Sequence, residues 1–140
     1  MSETIFSKIL SGDAEASFVY RDDLVSAFMD LHPVNPGHTL VIPNRPAVGL
    51  ADLDDETAAQ MFNVGRTIAA AIRRSQLDCD GINIILADGE VAGQEVFHVH
   101  LHVVPRVSGD GFGFKYAEHS FKMADRSVLD EAAENIRKEL

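Results

Sequence analysis

Apolar and polar positions alternate strictly along residues 97–106, with His98, His100 and His102 on one parity and Val99, Leu101 and Val103 on the other. Period-two alternation predicts a half-buried strand. Side chains two residues apart on a strand share a face at intervals of about 6.7 Å, so three imidazoles would stand side by side while the aliphatic residues face the core. The rest of the chain sorts by the same criteria. Ile5, Phe6, Ile9 and Leu10 share one helical face and run into the stop Ser11-Gly12-Asp13, which predicts a short N-terminal helix. Residues 17–21 and 24–30 read as two strands joined at Asp22-Asp23, and the turn-rich segment 32–37 delivers a third strand over 38–43. From Asp54 onward Ala58, Met61, Phe62, Gly65, Ile68, Ala69 and Ile72 recur at helical spacing, with acids at the start and Arg73 and Arg74 near the end, as the helix dipole favours. Residues 81–87 read as a fourth strand, 88–94 as a loop, and 96–104 as a fifth strand that Pro105 ends. After a glycine-rich loop over 109–114, Ser127 with Val128, Leu129, Ala132, Ala133 and Ile136 predicts a capped C-terminal helix. The sum is an α+β fold: a five-stranded, mainly antiparallel sheet, one long helix, a short N-terminal helix and a C-terminal helix.

Composition narrows the class. A chain of 140 residues is expected to form a single domain over 1–140 with one site. A net charge of −10 opposes binding of extended nucleic acid, whose affinity rests on Lys and Arg contacts to phosphate. A small phosphorylated ligand needs only local donors and stays open. No apolar run approaches the length that spans a bilayer, and Met1-Ser2-Glu3-Thr4 lacks the basic-then-apolar layout of a secretion signal, so a cytoplasmic protein that does not engage membranes is expected. The lone Cys79 excludes an internal disulfide framework.

Aligned imidazoles suit nucleophilic, proton-transfer or metal-ligand work near neutral pH. A metal-dependent hydrolase is one reading, since alternate histidines on a strand are good zinc ligands and Asp30 offers a further oxygen. The combination of Ile5-Phe6-Ser7-Lys8-Ile9, Ala27-Phe28-Met29-Asp30, Pro36-Gly37-His38-Thr39-Leu40-Val41-Ile42-Pro43, Ala92-Gly93-Gln94 and His98 to Arg106 resembles the histidine triad (HIT) family of nucleotide hydrolases and transferases over nearly the whole chain.

The resemblance implies a nucleotide hydrolase that cleaves at the α-phosphate of adenosine phosphoramidates or dinucleoside polyphosphates. In it His100 is the nucleophile, forming a covalent nucleotidyl intermediate, and the backbone carbonyl of His98 holds its ring. His102 donates to phosphoryl oxygens or protonates the leaving group, and His38 supports the triad through His98. Asp30 matches the acid that binds ribose hydroxyls. Phe6, Ile9, Phe28 and Leu31, with Ile5 and Leu40, match pocket-lining positions, while Gly93 and Gln94 are candidate phosphate donors and Glu95 lies beside the leaving group. Implied partners are a small AMP- or GMP-containing substrate and a second copy in a homodimer, with no cofactor. A nucleotide-binding regulator with incidental turnover is the remaining alternative.

Three departures from the family pattern matter. Thr4 and Ser7 stand where many bacterial members carry two cysteines, and Asn44-Arg45-Pro46 lacks the later histidine, so no structural zinc and no other metal is expected. Ala87 replaces an amide that contacts phosphate. Glu95 replaces Ser or Thr, and its charge is expected to disfavour extra anionic phosphates relative to an amine leaving group.

Overall fold

A computed structural model describes residues 3–140, which divide into two compact units, the first ending at Asp110 and the second spanning Gly111–Leu140. The first unit holds α1 (Ile5–Ser11), β1 (Phe18–Arg21), β2 (Val25–Met29), β3 (Thr39–Pro43), α2 (Asp55–Arg74), β4 (Gly81–Leu86) and β5 (Leu101–Arg106). The second holds α3 (Arg126–Arg137) after a short 3-10 turn at Glu118–Phe121. The five strands form one antiparallel sheet in the order β1-β2-β3-β5-β4. The expected α+β architecture is therefore present.

Local chemistry explains the boundaries. Thr4 and Ser7 close a capping box on α1: Ser7 N–H donates to Thr4 Oγ1 at 3.2 Å and Thr4 N–H donates to Ser7 Oγ at 2.8 Å. Gly12, at φ +90°, ends that helix. Asp54 caps α2 by accepting from Thr57 N–H at 2.7 Å. One face of α2 packs Met61, Val64, Ile68 and Ile72 onto Val25, Val41, Leu101 and Val103 of the sheet. The opposite sheet face packs Phe28, Leu40 and Ile42 against Phe6 and Ile9 of α1. The sheet is thus covered on both faces within the first unit, and the strand carrying the histidines is held between two cores.

Three boundaries differ from the sequence expectation. β5 begins at Leu101, so His98, Val99 and His100 precede the ladder. All three are buried: Phe6 of α1 packs on His98 and His100, and the stretch is tied by the Val99 N–H to Ala47 carbonyl bond of 2.8 Å and by the His98 ring on the Pro43 carbonyl. Pro105 lies inside β5, paired with Ile82 of β4. The pairing with β3 covers only Leu101 to Val103, so on that side proline's missing N–H leaves no gap in the ladder. In the second unit α3 starts one residue before Ser127, with Asp125 at the N-cap position and no side-chain cap bond.

Candidate active site

The four histidines named from the sequence assemble along β3 and the entry to β5: His38 directly precedes β3, His102 pairs with Leu40, and His98 reaches the Pro43 carbonyl at the far end of β3. His38 Nε2 and His102 Nδ1 are 2.9 Å apart, and the rings of His100 and His102 have centroids 4.9 Å apart. Phe6 sets its edge against His100 at 5.0 Å and His98 at 6.0 Å, a T-shaped packing that fixes both ring planes.

Backbone partners assign the tautomers. A carbonyl only accepts and an amide N–H only donates, while a neutral imidazole has one nitrogen of each kind. His100 Nδ1 donates to the His98 carbonyl at 2.8 Å, which leaves Nε2 with a bare lone pair. His98 Nε2 donates to the Pro43 carbonyl at 2.8 Å, and its Nδ1 is buried without a hydrogen-bond partner among the described residues. Val34 N–H donates to His38 Nδ1 at 3.1 Å, so the His38 proton sits on Nε2 and is directed at His102 Nδ1. His102 in turn carries its proton on Nε2. His38 therefore acts on His102, where the sequence reading has it acting through His98; the Pro43 carbonyl takes the place at His98.

Electrostatics keep the rings neutral. Burial lowers the pKa of His100, partly offset by the His98 carbonyl and by the charges of Asp30 and Glu95. Burial and the neighbouring His100 and His38 rings bring His102 down to about 4. His38 and His98 are lowered as well, in both cases chiefly by burial. At neutral pH two ring nitrogens carry bare lone pairs, His100 Nε2 and the wholly buried His98 Nδ1, and His102 Nε2 carries an N–H donor.

Asp30 stands beside this chain: its Oδ2 is 3.4 Å from His38 Nε2, and its Oδ1 accepts from His32 N–H at 2.8 Å. One ligand atom each from Asp30, His38 and His102 lies within 4.8 Å of the others, the one such grouping that fits a metal ion among the described residues. The donor chemistry does not suit one. An imidazole that binds a cation through Nε2 carries its proton on Nδ1, and His38 Nδ1 faces the Val34 N–H.

The residues expected to line a nucleoside pocket divide between a surface cleft and the core. Leu31 is exposed and, with Ile9 and Phe18, lines a cleft of about 620 Å³ whose polar wall includes Glu15, Ser17 and Arg21. Ile9 is largely buried but reaches this cleft. Phe28 and Leu40 are core residues at 2 % and 4 % exposure, and Ile5 is exposed, so the expectation that Phe28 lines the pocket gives way to packing between Phe6 and Phe18. Phe6 is likewise buried and serves the site as the support of His100.

The expected phosphate donors are engaged internally. Gln94 is 3 % exposed: its Nε2 donates to the carbonyls of Val48 at 2.6 Å and Val96 at 3.1 Å, and its Oε1 accepts from Gly89 N–H at 2.8 Å. It pins the 89–96 loop and has no amide hydrogen left for a ligand. Gly93 N–H donates to the Glu90 carbonyl at 3.0 Å. Glu95 is exposed and close enough for its charge to be felt at His100. Sequence reading missed Phe18 and Arg21 on the cleft and the backbone groups of Val34 and Pro43. Phe18 was legible as an aromatic on β1, whereas backbone groups leave no sequence signal.

Comparison with known proteins places this geometry. The HIT domain family model matches residues 11–109. An uncharacterized HIT-like protein of Borreliella burgdorferi is 46% identical over 116 residues, spanning 82% of this chain and 84% of that protein. The crystal structure of a HIT family member from Bacillus subtilis superposes with a TM-score of 0.89 at 39% identity, covering 99% of this chain and 98% of that one. A zinc-bound histidine triad family protein from Mycobacterium smegmatis superposes with a TM-score of 0.74 at 42% identity, covering 91% and 96%.

Proposed function

The chain belongs to the HIT domain family, and on that premise we propose that it is a nucleotide hydrolase or transferase working through a covalent nucleotidyl-His100. The observation that carries this reading is the His100 Nδ1 bond to the His98 carbonyl, which directs the lone pair of a neutral, buried imidazole outward on Nε2.

In the proposed reaction His100 Nε2 attacks the α-phosphorus of a bound nucleotide. The bond from phosphorus to the leaving nitrogen or oxygen breaks, and the leaving group keeps the electron pair and takes a proton from solvent. His102 Nε2–H donates to a non-bridging oxygen as charge builds there. Donation, rather than proton transfer, fits a ring with a pKa of about 4 whose Nδ1 already accepts from a neutral His38. Water then attacks the nucleotidyl group and gives up a proton to solvent, the phosphorus–nitrogen bond returns its pair to Nε2, and the nucleoside monophosphate leaves. Asp30 receives the ribose hydroxyls, and the cleft bordered by Ile9, Phe18 and Leu31 receives the base.

Adenosine phosphoramidates are the favoured substrate class over dinucleoside polyphosphates, because the Glu95 carboxylate repels further anionic phosphates. The enzyme is proposed to act as a cytoplasmic homodimer. The zinc in the name of the M. smegmatis relative has no counterpart in this reading: Thr4 and Ser7 cap a helix, and the single thiol, Cys79, donates to the Gly81 carbonyl.

The test is His100→Ala assayed for AMP release from an adenosine phosphoramidate, alongside AMP binding. A loss on the order of 10³-fold or more with binding retained is expected. Retained turnover overturns the assignment.

A further inference from the structure

We propose that Asn35, Asp110 and Arg106 form a clamp that fixes the direction of the His38–His102 hydrogen bond by holding the Val34 amide in place, which makes them positioning residues for the reaction. The turn that carries His38 is closed on itself: Val34 N–H donates to His38 Nδ1 at 3.1 Å, His38 N–H to the Asn35 carbonyl at 3.1 Å, and Asp30 N–H to the His38 carbonyl at 3.0 Å. It is joined to the rest of the first unit through Asn35, whose Nδ2 donates to the Pro105 carbonyl and to Asp110 Oδ2, both at 2.9 Å. Asp110 is held in turn. Its carboxylate, with a side chain 4% exposed, accepts from Arg106 Nε at 2.7 Å and Nη2 at 2.6 Å, and from Val107 N–H at 3.2 Å. Arg106 Nη1 donates to Asn83 Oδ1 at 2.7 Å, which anchors the clamp on β4.

The Val34 amide matters because it allows only one tautomer of His38. Moving the proton to Nδ1 would set it against the Val34 N–H and face the bare Nε2 with the lone pair of His102 Nδ1, so both hydrogen bonds would fail together. His102 would then lose the partner that keeps its own proton on Nε2. A bidentate arginine–carboxylate pair in a largely buried place is a stiff anchor, and here it stands one hydrogen bond, Asn35 Nδ2 to Asp110 Oδ2, from the turn. Asn35 and Asp110 are 75 residues apart in sequence, so the clamp joins the exit of the histidine strand to the turn that orients its partner.

The clamp is tested in the full chain without nucleotide by the imidazole ¹⁵N shifts of His38 and His102. Both rings are expected as single Nε2–H tautomers in the parent protein. In Asn35→Ala, His38 is expected to show a mixed population, with kcat down by about tenfold to a hundredfold and KM little changed. If this variant does not fold, Asn35→Ser carries the same readouts. A folded variant with the parent tautomers, or with the parent kcat, overturns the proposal. The kinetic readout rests on the proposed nucleotidyl transfer, whereas the tautomer readout does not, so failure of the one reading is distinguishable from failure of the other.

Discussion

His100 and His102 lie two residues apart on one strand entry, yet the backbone assigns them opposite tasks. His100 meets a carbonyl and keeps a free lone pair on Nε2; His102 meets the Nε2–H of His38 and keeps its proton on Nε2. Burial holds the folded pKa of His100 below the ordinary imidazole value of 6.5, so the nucleophile is deprotonated throughout the neutral range. The acid limb of a kcat/KM profile is expected below pH 6.5. Glu95 raises the His100 pKa, so Glu95→Gln is expected to shift that limb to lower pH and to improve dinucleoside polyphosphate cleavage relative to phosphoramidate cleavage. A limb that stays in place would remove Glu95 from the site. Gln94 has a different part. Replacing it by alanine leaves the Gly89 N–H and the Val48 and Val96 carbonyls without their partner, which is expected to cost about 1–3 kcal/mol in denaturant unfolding.

At the scale of elements, most of the architecture was legible because the hydrophobic period and the capping residues agree. Ile5, Phe6 and Ile9 with Gly12 marked α1, and Asp54 with the Met61–Ile68–Ile72 stripe marked α2. The histidine strand was misplaced for a physical reason: alternation reports extended backbone, not ladder pairing. The stretch from His98 to His100 leaves a bend over residues 96–98 and is buried before the ladder begins, held by contacts to Ala47, Pro43 and Phe6 that lie far away in sequence. The roles of Gln94 and Gly93 failed likewise, because the groups that engage them are backbone atoms. The histidines and Asp30 singled out in the sequence are brought together by the structure, and they stand out there because few side chains suit such chemistry. The turn before His38 is the most sensitive element. Gly37 has φ +99°, and a Cβ there would come within 2.9 Å of Leu77 Cδ1 and 3.4 Å of Pro105 Cγ. Gly37→Ala is therefore expected to lose about 1–3 kcal/mol of stability and to lower kcat through His38, measured by unfolding and turnover on the same preparation.

For the whole molecule, the buried histidines link stability to pH. All four have folded pKa values below 6.5, His102 at about 4. Between those limits the unfolded chain binds protons that the folded chain refuses, so stability is complete above pH 6.5 and falls as pH drops toward 4. Unfolding midpoints measured across that window are expected to decline before ordinary carboxylates begin to titrate, and a flat response would contradict neutral burial of the imidazoles. The whole molecule is expected to pair with a second copy, as proposed above. A single monomeric species in sedimentation equilibrium would refute that dimer. Among the described residues no helix is long and apolar enough to cross a membrane.

The fixed tautomer of His100 is proposed to make it the covalent nucleophile. The most direct measurement mixes the protein with an adenosine phosphoramidate, quenches within a single turnover at a pH that preserves phosphorus–nitrogen bonds, and maps the labelled residue by mass spectrometry. One adenylyl group is expected on His100, absent from His100→Ala. An adduct on His98 or His102, or full turnover with no adduct at any time, would contradict it.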